Sequence, residues 1–494
     1  MKLDKRFFAC VLPSMLAFAL SGVYAITDGF FVGNALGDEA LAAINIAYPL
    51  TAFLQAGGTG IGMGGAIQYA ICLGGREAHY KDRYFGLSLL LCAAGLALTL
   101  GLLLCAPALL CLLGAGGGIL ALGQEYLRFI ALGAIFQVMG TGLVPFLRNM
   151  GGAVAAMAAM MAGFVTNIVL DYTFVWVLPY GMAGAAVATV LGQAVTLAVC
   201  AVFLVLKRHK PRLRPDGESA AMVKRVLAVG LSPFGLTFSP NLTLVLVNKS
   251  AALVGGDAAV TCYAPISYII SVTLLLLQGV SDGSQPLVSM AHGRGDARAA
   301  RHTRNATYLF SAAVAAVCMA GLFALRGQAA ALFGASPQVT RRVAAVLPVF
   351  LAGLLPAAFS RMTTSYFYAT ARNSGAYLLI YGEPLLFALL LVLPGAAGGI
   401  WGTWAAVPLS QAWPPFWAPG FCGPGTGAVC APGAERPAPS CKPGPPAKPG
   451  ACVSPGRACC QQASQEALYS LPPASLATHP VNRVLPAACC IFWY

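Results

Sequence analysis

The stretch TNIVLDYTFVWVLPYG, Thr166 to Gly181, sets a carboxylate, Asp171, in the middle of an apolar run. An ionised side chain at the centre of a bilayer costs about 2.5–3.5 kcal/mol on insertion scales, so acids kept there mark ion or substrate pathways. Asn167 stands four residues earlier and shares a helix face with Asp171. A second acid, Asp28 in ITDGFFVG, lies about six residues before the outer end of the first apolar run, and Asp171 about eight before the outer end of the fifth. At about 1.5 Å of rise per residue the two differ in depth by only a few Å. Two carboxylates at one depth can share a proton or a small cation, because two close negative charges resist full ionisation. Hard oxygen donors from Asp, Asn and Thr suit an alkali cation better than nitrogen or sulfur would. The competing reading of these groups is a structural hydrogen-bond network that clamps the helices carrying them.

Other polar residues in apolar runs invite the same question. Glu383, in IYGEPLLFALLLVLPG beside Pro384, reads as a second proton or substrate-cation site. Asp282 lies between Gly279 and Pro286, where a broken helix would expose it to a cavity. Arg361 is a candidate partner for either acid. Lys249, near a helix end, is expected to snorkel to the interface. Gly57, Gly58, Gly60, Gly62, Gly64 and Gly65 crowd one run. They read as a close-packing and hinge surface, since the segment is membranous and lacks the lysine of a phosphate-binding loop.

The elements that position these residues follow from composition. Of 494 residues 58% are hydrophobic and 9% charged, so this chain belongs in lipid. Helices are predicted at roughly 7–33, 41–73, 85–115, 125–147, 154–178, 182–206, 226–254, 259–291, 305–334, 340–369 and 375–394, with a partial one near 397–412. The opening segment imitates a signal peptide, but its apolar run continues past Ala25 and so reads as the first helix. The net charge of +14 would suggest nucleic acid in a soluble protein. Here the positives fall in alternate loops, among them Arg76, Lys81 and Arg83, then Arg148, then KRHKPRLRPDGESAAMVKR, which the positive-inside rule explains without nucleic acid. That pattern puts the N-terminus in the cytoplasm. The 16 cysteines show no CxxC pair or Cys/His spacing for zinc, and no metal site of that kind is expected.

The chain also resembles itself. A shift of 219 residues lays Gly37 and Asp38 on Gly256 and Asp257, Gly60 on Gly279, Gly64 on Gly283 and Gly74 on Gly293. Each half holds six helices, an even number, so both halves enter the membrane in the same sense, the parallel-repeat plan of some transporters. The expected organisation is an N-lobe at 1–206, an inter-lobe linker at 207–225, and a C-lobe at 226–412 whose twelfth helix is truncated or disrupted. A tail follows at 413–494. Its 82 residues hold 16 of the 33 prolines and 8 of the 16 cysteines, which rules out a packed core.

Four stretches carry a family resemblance: TDGFFVGNALGDEALAAINIAYPL, TNIVLDYTFVWVLPYGMAGAAVATVLGQ, VNKSAALVGGDAAVTCYAPISYII and LQGVSDGSQPLVSMAHGRGD. In this order they resemble the MATE (multidrug and toxic compound extrusion) transporters, nearest the DinF-like and MepA-like branch, over roughly residues 5–411. The resemblance implies twelve helices in two lobes around a central cavity that opens alternately to each side. It implies export of organic, often cationic, compounds against entry of Na+ or H+, with no other cofactor. The family's N-lobe cation site matches Asp28, Asn167, Asp171 and Thr189, the last in GAAVAT. On this reading the two acids carry the ion and Asn167 and Thr189 are neutral oxygen ligands, a set able to hold Na+. The partners would be small organic substrates and the lipid of a bacterial plasma (inner) membrane, with the protein a monomer.

Two other functions are weighed. A flippase for lipid-linked sugars would need a strongly cationic cavity, yet few Lys or Arg lie within the helices. A membrane enzyme would need clustered catalytic residues, and His79, His209, His292, His302 and His479 stand in basic loops or the tail. The tail has no counterpart in the family pattern. It reads as an out-of-frame end of the gene, because the change of character falls inside an expected helix. Sequencing the gene from independent isolates is expected to show a frame change within codons 400–415, and an intact frame there would overturn that reading.

Overall fold

The computed structural model describes residues 4–112, 115–213, 217–331, 336–392 and 395–421. All regular structure within them is helical, as lipid requires: backbone N–H and C=O groups that cannot reach water must pair within their own segment. Twelve long helices are described. They are α1 (Lys5–Leu36), α2 (Asp38–Gly74), α3 (Lys81–Leu104), α4 (Gly117–Asn149), α5 (Ala153–Asp171) and α6 (Gly181–Leu206) in the first lobe. The second lobe holds α7 (Ser219–Gly256), α8 (Ala258–Gly293), α9 (Ala297–Ala324), the bent α10 (Pro337–Leu351 and Leu354–Ala369), α11 (Asn373–Val392) and α12 (Gly395–Phe421). Eight of them, or nine with α10 taken as one span, are each long and apolar enough to cross a bilayer.

Several boundaries differ from the sequence expectation. The third helix stops at Leu104 and a short helix, Ala106–Leu112, resumes with Pro107 in its first turn, where a missing N–H is harmless. The two segments of α10 meet at 42° across Ala352 and Gly353. Pro356 lacks the N–H that would bond the Ala352 carbonyl, which accounts for the break there. The linker is shorter than expected because α7 already starts at Ser219. Its ends are tied to the first lobe: the Arg212 N–H donates to the Asp82 carbonyl (3.0 Å) and Arg83 pairs with Glu218 (3.0 Å). The last helix runs past the change of composition at Trp413 to Phe421, with a non-helical break at Gly399 (φ 57°). The chain from 422 onward, most of the expected tail, lies outside the described residues.

The internal repeat is visible in the backbone. Gly37 (φ 85°, ψ −176°) and Gly256 (φ 62°, ψ −164°), 219 residues apart, each join the first helix of a lobe to its second in a conformation that only glycine adopts readily.

The lobes meet where α2 crosses α7 and α1 crosses α8, and the two crossings are related by the same repeat. On α2, Gly60 lies against Gly230 and Phe234, and Gly64 against Val226 and Gly230. On α8, their repeat mates Gly279 and Gly283 lie against Met15 and Val11, which are the repeat mates of Phe234 and Gly230. Farther along, Gly74 abuts the Met290 carbonyl and Gly293 abuts the Ile71 carbonyl, again a matched pair. Small residues let helix backbones approach closely in lipid, where dispersion rather than water expulsion holds helices together. Of the crowded glycines of α2, Gly60 and Gly64 pack against the other lobe, Gly58, Gly62 and Gly65 against α3 and α4 of their own, and Gly57 against nothing within 4 Å.

Apolar packing shows which way the lobes lean. At the end that carries the basic loops, buried clusters mix the lobes: Met63 and Ile67 with Val229, Val288 and Phe367; Cys72 and Tyr84 with Met222 and Val226; Phe7 and Val11 with Val280 and Met362. At the other end each lobe keeps its own core, one around Val32, Leu54 and Met182, the other around Val247, Ile266 and Trp404. The lobes are closed together at the basic-loop end.

A methyl group at Gly64 would overlap the Val226 carbonyl, whereas one at Gly57 meets nothing within 4 Å. Gly64→Ala is therefore expected to destabilise the purified protein by about 1–3 kcal/mol, and Gly57→Ala to be neutral or mildly stabilising. Thermal unfolding of the two variants in one detergent checks the contrast.

Candidate functional site

Asp171 is the last residue of α5 before a π-helical turn, Tyr172–Val177. The Leu178 N–H bonds the Thr173 carbonyl (2.8 Å) instead of the one four residues back. Such π segments are rare and concentrate at functional sites, because the wider turn re-aims side chains and loosens the helix locally. It leaves Asp171 at a point where α5 can change pitch.

The structure brings all four predicted N-lobe residues together. Asp171 is fully buried (0% exposed), Asn167 is buried, and Asp28 on α1 is partly buried. The Asp28 and Asp171 carboxyls face one another within hydrogen-bonding reach. A bond between two carboxyls needs one proton, and a cation between them would serve the same end. With its amide oriented so that both ends are paired, Asn167 donates to Asp171 Oδ2 (2.9 Å) and accepts from the Thr189 N–H (3.1 Å). Asn167 thus ties α5 to α6 and aims the acid. With both carboxyls ionised, Asp171 Oδ1 has no hydrogen-bond donor.

The donor set fits a small hard cation: a fully buried Asp171 oxygen and the Asp28 carboxyl face one another, and the Thr189 hydroxyl lies 3.5 Å from the Asn167 amide beside them, with neither sulfur nor imidazole among these residues. Two tyrosines that the sequence reading missed complete the surroundings. The hydroxyls of Tyr24 and Tyr126 lie within hydrogen-bonding reach of Thr189, and both rings stand near the two acids. Tyr24 precedes Asp28 by four residues on the same helix face, a signal available in the sequence; Tyr126 on α4 has no such local mark. Tyr24 also stacks on Phe164 of α5 (5.1 Å between centroids), which fixes α1 against α5 beside the acids.

The C-lobe candidates also fall into one network, with Asp282 buried and Arg361 and Glu383 partly buried. Asp282 (3% exposed) accepts from Gln278 Nε2 (2.7 Å) and from the Tyr368 hydroxyl (3.4 Å) on Oδ1. Arg361 donates to Gln278 Oε1 (2.8 Å), and its charge is sensed by both Asp282 and Glu383. Gln278 therefore spaces Arg361 from Asp282, and Arg361 is not the acid's direct partner. That partner is Arg148 of the other lobe, whose Nη2 lies 3.3 Å from Asp282 Oδ2.

Arg148 corrects the sequence reading, which counted it among the cytoplasmic loop charges. It is the penultimate residue of α4, 6% exposed, and sits over the Phe18 ring at 5.7 Å. Next to it Asn149 and Gln285 exchange two side-chain hydrogen bonds across the lobes (3.0 and 3.3 Å). Gln285 goes on to Ser289, and Ser289 donates to the Ala369 carbonyl. An arginine at the end of an apolar helix looks alike in sequence whether it meets water or an acid from another lobe, so only the tertiary fold separates the two.

Two parallel six-helix lobes, a seam of glycine contacts related by the repeat and buried acids inside a multi-pass bundle define a membrane transporter. The MatE family model matches residues 13–173 and 235–382, one block in each lobe, and the chain belongs to that family. It is similar to the multidrug export protein MepA of Staphylococcus haemolyticus (strain JCSC1435), with 26% identity over 409 residues, 79% of this chain and 87% of the relative. MepA of Staphylococcus aureus (strain NCTC 8325 / PS 47) is 24% identical over 404 residues, 79% of this chain and 88% of the relative. Among solved structures, an outward-facing conformation of a multidrug resistance MATE family transporter of the MOP superfamily has a TM-score of 0.78 at 23% identity, covering 84% of this chain and 95% of that one. A MOP superfamily transporter from Pyrococcus furiosus has a TM-score of 0.77 at 24% identity, covering 85% and 97%. These structures share the fold.

Asn167→Ala would leave Asp171 Oδ2 buried without its donor. The expected loss is about 1–3 kcal/mol in the stability of the detergent-purified protein. Thermal or denaturant unfolding beside wild type measures it.

Proposed function

We propose that this protein is a secondary antiporter of a bacterial inner membrane that exports organic, cationic amphipathic compounds, driven by inward movement of Na+ or H+. The observation that carries the reading is the pair of facing carboxyls, Asp28 and Asp171, buried between α1, α5 and α6, with one carboxylate oxygen lacking a hydrogen-bond donor when both are ionised. The MepA relatives are multidrug export proteins by name, which supports the substrate class. The protein acts as a monomer, with small molecules and the bilayer as its partners and no nucleic acid.

In this mechanism an external cation or proton neutralises the acid pair. Neutralisation removes the repulsion between Asp28 and Asp171 and lets α1 settle against α5, with the π turn absorbing the change of pitch. Asn167, held at both ends, keeps Asp171 aimed at Asp28 and serves as a positioning residue. Thr189 adds a hydroxyl to the cation's shell. The settled helices favour one lobe arrangement, and the organic compound binds the other better. Ion and substrate thereby lower each other's affinity by the same factor, as linkage requires. The flippase alternative is disfavoured, since Arg148 of the N-lobe and Arg361 of the C-lobe both stand near acids and this network has no surplus positive charge for a pyrophosphate.

In proteoliposomes loaded with a fluorescent organic cation, an imposed inward Na+ or pH gradient is expected to drive its movement. Asp171→Asn and Asp28→Asn should reduce the gradient-driven component to background. Transport by Asp171→Asn at the wild-type rate down an imposed gradient would refute the ion-site assignment.

A further inference from the structure

We infer that Asp282 is a binding point for an organic monocation, occupied by the substrate's positive charge only when the lobes part and Arg148 withdraws. This rests on reading the protein as an exporter of organic cations, and it gives that cation a place and a competitor.

The argument is one of charge. Arg148, Asp282, Arg361 and Glu383 make two positives and two negatives when all are ionised, a neutral set in which Arg148 and Asp282 are buried and Arg361 and Glu383 partly buried. Three of the four belong to the C-lobe, and Arg148 alone comes from the N-lobe. Moving the lobes apart takes away one positive charge and leaves the C-lobe network with a net charge of −1. An uncompensated acid in a low-dielectric wall is strongly disfavoured, so opening at this end calls for a replacement cation.

The two oxygens of Asp282 are held differently. Oδ1 of Asp282 is held by Gln278 on α8 and Tyr368 on α10, both of the same lobe, and these contacts survive when the lobes separate. Oδ2 is the oxygen that faces Arg148, and parting the lobes frees it. One fixed oxygen and one open oxygen form a preorganised acceptor for a single positive centre. Arg361 is held on Gln278 Oε1 with Glu383 beside it, so it stays in place. Arg148 itself is an easily displaced partner. Its Nε and Nη1 are buried without hydrogen-bond partners, so one 3.3 Å contact serves a guanidinium that has five donors. It lies one residue from the end of α4, where a small separation of the lobes delivers it to water and satisfies those donors.

The consequence is an exchange. With the lobes closed at this end Arg148 occupies the acid and expels a cationic ligand; with them open the ligand takes Oδ2 and stabilises the open state. An organic cation is thus both admitted and released by one arginine.

Equilibrium binding of radiolabelled tetraphenylphosphonium to the full-length protein in lipid nanodiscs tests this, beside gradient-driven tetraphenylphosphonium transport. Arg148→Gln removes the competitor and is expected to tighten binding at least about threefold, while Asp282→Asn weakens it about tenfold or more. The decisive variant exchanges the pair, Arg148→Asp with Asp282→Arg. It keeps a seam ion pair and should melt near the wild-type temperature, yet it sets a positive charge in the C-lobe and should bind tetraphenylphosphonium at least about tenfold more weakly. If the exchanged pair does not fold, Arg148→Gln with Asp282→Asn, a neutral pair, should show the same loss. A folded exchanged or neutral pair that binds as tightly as wild type overturns the inference and reduces the pair to a structural clamp. Should wild type carry tetraphenylphosphonium against a gradient while Asp282→Asn binds it normally, the site falls and the exporter reading stands. No binding or movement of the probe by wild type overturns both.

Discussion

Backbone-to-backbone contact between two lobes is the constraint on which the rest of the molecule depends. Gly60, Gly64 and Gly74 on α2 and their mates Gly279, Gly283 and Gly293 on α8 let the lobes approach until carbonyl groups of one lie against α-carbons of the other. In lipid this packing supplies the attraction that the hydrophobic effect supplies in water. The contacts are matched in pairs by the 219-residue repeat, so neither lobe dominates the seam. A surface of this kind is tight but shallow: small residues interlock little, and lobes held by them can roll without dismantling a deep core.

Polar groups are then placed where rolling changes their surroundings. The N-lobe acids sit between α1, α5 and α6, inside one lobe, so on the proposed mechanism a proton or cation there would act on helix packing within that lobe. The C-lobe network sits on the seam and draws Arg148 from across it. A buried ion pair is a weak source of stability, because desolvation offsets much of its Coulomb energy, whereas removing one partner costs about 3–5 kcal/mol. That asymmetry makes such a pair sensitive to lobe position. The two charged clusters differ in place: one lies within a lobe, and the other spans the seam and depends on whether the lobes are together.

Much of this was legible in the sequence because membrane helices are written plainly. The apolar runs gave twelve helices, the 219-residue shift gave two parallel lobes, and the residues four apart at 167 and 171 gave one face of α5. The site residues came together because depth along a helix can be counted from the chain. What stayed hidden has a common physical cause. Arg148, Gln278, Tyr126 and Tyr368 act through partners on other helices, and local sequence has no term for rotation about a helix axis. The bend in α10 was missed because its cause, Pro356, lies inside an apolar run that otherwise reads as a single span. The π turn after Asp171 has no sequence mark, since Tyr172 to Val177 would suit an ordinary helix.

The connection between the lobes bears on how they can swing. It leaves α6 at Leu206, is caught at Arg212 by the Asp82 carbonyl, and is caught again at Glu218 by Arg83, just before α7 begins. The start of α7 is thereby leashed to the start of α3 by hydrogen bonds, while the matching start of α1 meets the C-lobe through apolar contacts, Phe7 and Phe8 against Phe310. A door fastened along one edge opens at the other. The gap at this end would widen first on the side of α1, α4 and α8, where Arg148 stands against Asp282, so two lobes built by repetition would open lopsidedly.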